Sequence, residues 1–385
     1  MSPGVQGGAP PLGVYIHWPY CARICPYCDF NVVRARGRMD EEAELVAAIA
    51  ADLESQAAMI GPRTLVSVFF GGGTPSLMRP EAVEQILAAA RRLWPVEGPV
   101  EVSLEANPTD AEADRFSAFR AAGVERLSLG VQAFDDDQLH FLGRAHDAAE
   151  TLRAVRVAAA VFPRLSLDLI YALPGQEAAG WRAALRRAAD LGAEHLSPYQ
   201  LTIEAGTAFD RAVRRGRFTP AGEALGAELY ETTQETLEAL GFAAYEVSNH
   251  ARGAGARARH NLVYWRGEDY LGVGPGAHGR LSLPGGVRLA SEAEPRIAAY
   301  IARVHGQGSG AAFTPMSALD RAEERVLMGL RTDEGLALDE VSALPLSRLP
   351  ELVESGHLAA LGGRLVATQA GRLVLNHLVE RLIMG

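Results

Sequence analysis

Residues 15–31 read YIHWPYCARICPYCDFN and hold every cysteine of this 385-residue chain, namely Cys21, Cys25 and Cys28. An apolar, β-rich run precedes the C-x3-C-x2-C segment, so we predict that the three thiols follow the first strand of the fold. An odd number of cysteines speaks against a disulfide framework. We therefore expect a reducing cytoplasm, in which clustered cysteines serve as metal ligands.

The composition argues against several classes of protein. The formal net charge is -10 and the hydrophobic fraction is 48%, which disfavours a general nucleic-acid binder and provides ample material for a core. No apolar run reaches the ~18 residues that a membrane span needs. Residues 1–11 are rich in Gly and Pro and predict a disordered tail without a secretory signal.

Between residues 12 and 210, apolar strand-like runs alternate with helical stretches. This rhythm predicts a parallel sheet with right-handed crossovers. The strand-like runs are 14–18, 65–70, 100–106, 126–131, 164–173 and 195–201. Six units are too few for a closed eight-unit barrel. We therefore predict an α/β fold, either an open, partial (β/α)6 barrel or a doubly wound sheet.

After the last of these units the alternation ends. The segment 211–312 is rich in Gly and Arg, and within it we predict irregular structure over 281–312 with a short helix near 294–305. Residues 313–385 predict a small, mostly helical, winged-helix-like domain in which GGRLVAT (362–368) forms a hairpin. Such folds often bind DNA, but the last helix is not notably basic, so we expect no nucleic-acid partner.

Three thiolates on one loop are compatible with two kinds of metal site. Structural zinc takes four ligands, and His17 could supply the fourth, although it lies within a predicted strand. An iron–sulfur cube has four irons, so three cysteines leave one iron without a protein ligand, which is useful if a substrate must bind there. The residues alone leave both sites open.

Glycines and polar residues end several predicted strands, which is where sites form in α/β barrels. FGGGTP (70–75) ends the second strand and permits close approach of the backbone to a ligand. SLEANP (103–108) places Glu105 at the end of the third strand, where a carboxylate can accept hydrogen bonds. Asp168 lies inside an apolar run, so it must be paired or hydrogen-bonded.

The cysteine spacing after a first strand resembles that of the radical S-adenosylmethionine (SAM) superfamily. Further motifs follow in the order of its coproporphyrinogen-oxidase-like branch, and the resemblance spans about residues 13–280. These motifs are YIHxP, CPYCDFN, FGGGTP, SLEANP, LSLGVQ, RxH, DLIYxLPGQ and YxLTIExGT.

This resemblance implies a [4Fe-4S] cluster held by Cys21, Cys25 and Cys28, with SAM chelating the fourth iron. It also implies a set of SAM-contacting residues near the strand ends: Tyr15, Tyr27, Gly72, Gly73, Thr74, Glu105, Gln132, Arg144 and Asp168. The oxidase of this branch binds two SAM molecules, and whether this chain binds a second one stays open.

Two kinds of protein in this branch differ just after the cysteine motif. The oxidase, which decarboxylates coproporphyrinogen III, has a further cysteine at the position of Phe30. The haem chaperones lack it and carry H-N-x-x-Y-W, which this chain matches at 260–265. The resemblance therefore implies haem contact through His260, Tyr264 and Trp265, since imidazole binds iron and aromatic rings stack on porphyrin.

The haem ligand and the partners are less defined. His250 and His278 lie near the motif, and Arg252, Arg257 and Arg259 could pair with haem propionates. We predict a haem chaperone that passes haem to an acceptor protein, such as a membrane-bound respiratory enzyme, and receives electrons from a donor. A homodimer is one arrangement it could adopt, and the radical SAM decarboxylase is the alternative function.

Overall fold

The computed structural model describes residues 10–37, 39–95 and 98–384. The predicted tail (1–11) lies outside these ranges except for Pro10 and Pro11, and Pro11 already begins the first strand. The strands are β1 (Pro11–Trp18), β2 (Tyr20–Cys21), β3 (Val33–Arg34), β4 (Thr64–Gly72), β5 (Glu101–Ala106), β6 (Arg126–Gln132), β7 (Arg164–Tyr171), β8 (His195–Gln200), β9 (Ala243–Ala244), β10 (His250–Ala251), β11 (Asp269–Val273), β12 (His278–Ser282), β13 (Arg288–Ala293), β14 (Ala311–Pro315), β15 (Leu336–Ala337), β16 (Leu358–Leu361) and β17 (Arg364–Ala367).

Helices connect and flank these strands. They are α1 (Met39–Ile60), α2 (Pro80–Leu93), α3 (Asp110–Ala113), α4 (Phe116–Ala121), α5 (Asp136–Phe141), α6 (Ala148–Val161), α7 (Ala178–Asp190), α8 (Ala208–Arg214), α9 (Glu223–Ala239), α10 (Arg259–Trp265), α11 (Ile297–Gln307), α12 (Ala318–Gly329), α13 (Leu349–Glu354), α14 (Gln369–Leu373) and α15 (Leu375–Met384). None of the helices in the described ranges has the length and apolar character needed to cross a membrane.

One large sheet organises the chain, with the strand order β14-β13-β12-β11-β1-β4-β5-β6-β7-β8-β10-β9. Strands β1 and β4 to β8 are parallel neighbours in chain order. A doubly wound sheet would reverse its order at a switch point, so the predicted partial (β/α)6 barrel is confirmed. Strand β11 extends the sheet in parallel beside β1, and β12 to β14 continue it antiparallel.

The prediction of irregular structure over 281–312 is wrong, because β13 and β14 pair with each other there. Strand β13 reads RLASEA and turns Leu289, Ser291 and Ala293 toward the buried side. Small and hydroxyl side chains on a buried face give little alternation of hydrophobicity, so the strand has no clear period in the sequence. The short helix predicted near 294–305 is present as α11.

Successive residues of β1 point alternately to the two faces of the barrel wall. Leu12, Val14 and Ile16 are fully buried in the main core together with side chains of α1 and α2. Each such side chain contributes ~1.5–3 kcal/mol through burial. Gly13 and Tyr15 face the barrel interior instead, where they meet residues of α10.

Helix α10, which carries the H-N-x-x-Y-W motif, fills the barrel interior beside β1 and β4. The backbone N–H groups of Arg259 and His260 each donate to the carboxylate of Glu101 at 3.1 Å. Glu101 also pairs with Arg164 at 2.6 Å. A buried carboxylate on β5 therefore replaces a local N-cap and fixes where the motif lies.

A second hydrophobic core lies in the C-terminal part of the chain. Helices α12, α13 and α15 and the sheet β15-β17-β16 enclose it around Val326, Leu365 and Leu382. The β16–β17 hairpin turns at Gly362 and Gly363, which both have positive φ. This hairpin is the wing that GGRLVAT predicts.

Candidate functional site

The cysteine loop lies at the carboxyl end of β1 and borders a cavity of about 500 Å³. Cys21 is buried in β2, whereas Cys25 and Cys28 are partly exposed, and all three thiols are free. The loop packs on the barrel, since Phe209 N donates to the Pro26 carbonyl at 2.9 Å. The three predicted metal ligands therefore face one common space.

Burial keeps two of these thiols protonated when no metal is bound. It raises the pKa of Cys21 to about 11 and also raises the pKa of Cys28. A metal or cluster must therefore displace protons to bind here, which makes binding dependent on pH. The third thiol has an arginine beside it, because Arg144 Nη1 lies 3.1 Å from Cys25 Sγ.

The zinc alternative is less favoured by the surroundings of His17. Its Nε2 donates to the Asn31 carbonyl at 2.9 Å, and its Nδ1 accepts from the Tyr15 hydroxyl at 3.0 Å. Across the described residues, no group of three or more His, Cys, Asp or Glu side chains is arranged around a single-ion position. Cluster thiolates bind different irons and need not converge on one point, so an iron–sulfur cluster does not require such an arrangement.

The glycine stretch at the end of β4 borders the cavity, and neighbouring atoms lie too close to it to leave room for side chains. A Cβ on Gly73 would lie 2.7 Å from the Tyr20 carbonyl oxygen, and one on Gly72 would lie 2.6 Å from the His17 ring. Gly72 also has a φ of +109°, which favours glycine. Thr74 N donates to the Tyr20 carbonyl at 2.8 Å, so a backbone hydrogen bond holds the stretch against the start of the cysteine loop.

Two carboxylates face the same cavity from β5 and β7, the strands on either side of β6. Glu105 Oε2 accepts the Gly72 N–H at 3.1 Å, and Asp168 accepts the Ser128 hydroxyl at 2.9 Å, which satisfies the expectation that Asp168 is hydrogen-bonded. Burial, reinforced by the charge of Asp168, raises the pKa of Glu105 to about 8. Burial likewise raises the pKa of Asp168. Two partly uncompensated acids suit a ligand that carries positive charge.

Arg144 joins the cysteine loop to the other strand ends. Besides Cys25, its guanidinium donates to the side-chain oxygen of Asn107 and to the Gly130 carbonyl at 3.2 Å. Its Nε has no hydrogen-bond partner among the described residues, although the atom is buried. The guanidinium therefore links the cysteine loop to the carboxyl ends of β5 and β6 at the cavity wall.

The cavity brings together most of the predicted SAM positions. Its lining includes Tyr27, Gly72, Gly73, Thr74, Glu105, Gln132, Arg144 and Asp168. Gln132 has a φ of 65°, a strained conformation for a residue with a side chain, and such strain concentrates at functional sites. Tyr15 is the exception among the predicted positions, because it borders the neighbouring cavity.

Arg126 is a cavity residue that the sequence reasoning did not select. It is buried at the start of β6, its Nη2 lies 3.2 Å from His195 Nδ1, and its Nε has no partner among the described residues. An arginine at the start of the apolar run RLSLGV was the available signal. A charge in a buried strand needs a partner or a ligand.

A second cavity of about 420 Å³ lies next to the first and shares Phe30, Gly72 and Glu105 with it. Tyr15, Tyr264 and Tyr270 give it aromatic walls. The rings of Tyr264 and Tyr270 pack edge to face with centroids 4.4 Å apart. The remaining lining residues are His17, Asn31, Gly276 and His278.

The three side chains of the predicted haem motif lie in three different environments. His260 is 1% exposed, its Nδ1 lies 2.9 Å from Ser67 Oγ, and its Nε2 lies 2.6 Å from the Tyr264 hydroxyl. Burial lowers the pKa of His260 to about 3, so the ring is neutral. Tyr264 borders the second cavity, whereas Trp265 is half-buried and borders neither cavity.

The nearby arginines are engaged away from the two cavities. Arg257 pairs with Asp333 at 2.5 Å, Arg259 donates to the Pro99 carbonyl at 3.0 Å, and Arg252 lies over the Phe242 ring. The structure therefore does not bring these side chains to the aromatic walls.

The chain is similar to known proteins in both sequence and structure. Residues 15–188 match the radical SAM superfamily. The chain is 35% identical to the haem chaperone HemW of Escherichia coli, with 96% of this chain and 98% of that protein covered. It is 41% identical to the mitochondrial radical S-adenosyl methionine domain-containing protein 1 of Bos taurus, over 87% of this chain and 75% of that protein. The solved coproporphyrinogen III oxidase (HemN) of Escherichia coli has a TM-score of 0.78 at 22% identity, covering 98% of this chain and 90% of that chain, and shares the fold.

Proposed function

Because the chain belongs to the radical SAM family that includes the haem chaperones HemW, we propose that it binds haem and transfers it to an acceptor protein. The observation that carries this proposal is the similarity to HemW of Escherichia coli along nearly the full length of both proteins. Phe30, which stands where the oxidase has an extra cysteine, supports the same choice.

Membership of this family implies a [4Fe-4S] cluster and SAM, and the donors around the first cavity fit both. We propose Cys21, Cys25 and Cys28 as the cluster ligands, with the open iron available to the amino and carboxylate groups of SAM. Arg144 would stabilise the Cys25 thiolate, and Glu105 would accept hydrogen bonds from the positively charged end of SAM.

The glycine stretch and two further side chains complete the proposed SAM site. Gly72 and Gly73 line the first cavity, and a Cβ on either would clash with the His17 ring or with the backbone of residues 18–20. Thr74 Oγ accepts a hydrogen bond from Asn107 at 3.3 Å, and Tyr27 lies within 3.4 Å of Arg144, so both are held at the cavity wall. Their roles are to orient the ligand and to exclude water.

The second cavity is the proposed haem site. Its aromatic walls suit a flat, apolar macrocycle. Tyr264 borders it directly, and His260 positions Tyr264 through the 2.6 Å hydrogen bond between them. Iron ligation by His260 would require its ring to leave both Ser67 and Tyr264, and contact between Trp265 and haem remains a prediction.

The proposed function also implies a compartment and protein partners. Free thiols and an oxygen-sensitive cluster suit a reducing cytoplasm, which we propose as the site of action. An acceptor, such as a membrane-bound respiratory enzyme, and an electron donor complete the proposed pathway of haem transfer. Some relatives of this chain carry the description mitochondrial.

An anaerobic comparison of two substrates tests the function. Protein with a reconstituted cluster, a reductant and SAM is incubated either with haem and an apo-haem protein or with coproporphyrinogen III. We expect haem to bind and to appear on the acceptor, as measured by the Soret absorption of each species after separation. Robust formation of protoporphyrinogen IX without haem transfer would instead establish the oxidase.

A further inference from the structure

On the premise of the proposed function, we propose that His278 is the side chain that ligates haem iron, in the second cavity, whose lining also includes Phe30 and Tyr264. His278 begins β12 at the same end of the barrel as the cysteine loop. Its side chain is exposed and borders the second cavity. Neutral imidazole is a standard axial ligand of haem iron.

The other histidines near this cavity are already engaged. Both ring nitrogens of His17 have hydrogen-bond partners, and so do both ring nitrogens of His260. His250 is buried on a different edge of the sheet, where β10 pairs with β8. Within the part of the chain that the structure describes, nothing hydrogen-bonds to the imidazole of His278, so it can bind iron without breaking a contact.

The walls of the cavity provide the apolar contacts that a porphyrin needs. Phe30 is 63% exposed, which is unusual for so large an apolar side chain, and it stands at the border between the two cavities. Tyr15, Tyr264 and Tyr270 form the inner walls. Haem bound in this cavity would contact Phe30, an exposed apolar side chain of the kind that marks ligand-binding surfaces.

The position of His278 is tied to the cysteine loop through Asn31. The Asn31 amide donates to the carbonyls of Pro275 and Pro295 at 2.8 Å each. Gly276, whose φ is +82°, packs so closely that a Cβ there would lie 2.6 Å from Asn31 Nδ2. The turn that leads into His278 is therefore held against the residue three positions after Cys28.

This link predicts that the cluster and haem affect one another. The cluster ligands and Asn31 lie on one loop, and Asn31 holds the turn before His278. A change in this loop on binding or loss of the cluster would therefore reach the turn. The Asn31 contacts thus provide a physical link between the cysteine loop and the proposed haem site.

The test is an anaerobic haem titration of the cluster-loaded, full-length protein, read by absorption spectroscopy. The change is His278→Ala, and the matched control is His305→Ala, which removes an exposed histidine on α11. We expect His278→Ala to bind haem at least about tenfold more weakly, which is ~1.4 kcal/mol. We also expect free imidazole to restore the wild-type spectrum, because it can occupy the vacated ligand position.

Three other outcomes would each overturn a defined part of the reasoning. Unchanged binding by His278→Ala, with a normal wild type, would remove His278 from the site and leave the haem-chaperone function intact. Weaker binding that free imidazole does not rescue in the spectrum would show that His278 is not the iron ligand. Failure of the wild-type protein itself to bind haem would refute the proposed function and this inference with it.

Discussion

Replacing Glu105 with Gln should stabilise the ligand-free protein at alkaline pH relative to the wild type. Burial, with the charge of Asp168 as a second cause, raises the pKa of Glu105 from 4.5 to about 8. Between these two values the folded chain holds a proton that the unfolded chain has released. Wild-type stability therefore falls as pH rises through this window, and the fall is complete once Glu105 ionises in the folded state.

The magnitude follows from the size of the shift. At 1.36 kcal/mol for each pKa unit, the ceiling on this loss is about 5 kcal/mol. Glu105 borders a cavity that water can enter, and solvent screening reduces the effect, so we expect ~2–3 kcal/mol. The amide of the Gln variant does not titrate and still accepts the Gly72 N–H, so the variant lacks this loss.

The assay is urea unfolding of cluster-free, reduced protein at pH ~5 and pH ~9. For each protein, the free energy of unfolding at pH ~9 is subtracted from that at pH ~5, and this difference is compared between wild type and variant. Groups that titrate equally in both proteins cancel in this comparison. Glu84→Gln is the matched control, since Glu84 is exposed on α2. A difference between the Glu105→Gln variant and the wild type that does not change with pH would refute the reasoning.

Further changes test separate parts of the structure. Cys25→Ala should abolish the iron–sulfur absorption and leave the far-ultraviolet circular dichroism unchanged, since the loop lies outside the core; global unfolding would contradict this. In a thermal melt, Gly73→Ala should destabilise the protein by more than ~1 kcal/mol, because its Cβ would lie 2.7 Å from a backbone carbonyl oxygen. The control is Gly180→Ala in helix α7, where the added Cβ contacts nothing, so this variant should be neutral or stabilising. Glu101→Gln should destabilise by ~3 kcal/mol, because it leaves the ion pair with Arg164 without its charge and weakens the contacts to the start of α10. An unchanged urea midpoint would argue against that anchor.

Much of the barrel could be predicted because its signals are local. The six parallel strands are apolar runs bounded by turn residues, and their carboxyl ends carry the glycines and acids that line the first cavity. Strand β13 escaped prediction because its buried face consists of leucine, serine and alanine. A period that rests on small side chains is too weak to separate strand from loop.

The environment of the haem motif could not be predicted because its contacts are distant in sequence. His260 bonds to Ser67, 193 residues away, and its helix is capped by Glu101, 159 residues away. Likewise, His278 reaches the cysteine loop only through Asn31 and the chain fold. The sequence identifies the residue types that suit iron, but only the tertiary structure tells an engaged imidazole from a free one.

The wall that the two cavities share makes Glu105 a neighbour of both proposed ligands. If SAM draws Glu105 into its ionised form, the second cavity gains a negative charge, and the free energy of binding there changes by a coupling term. Thermodynamic reciprocity then fixes the converse, so that haem alters the affinity for SAM by the same factor. One side chain in a common wall is thus sufficient to make the two binding equilibria cooperative or antagonistic, without any movement of the barrel.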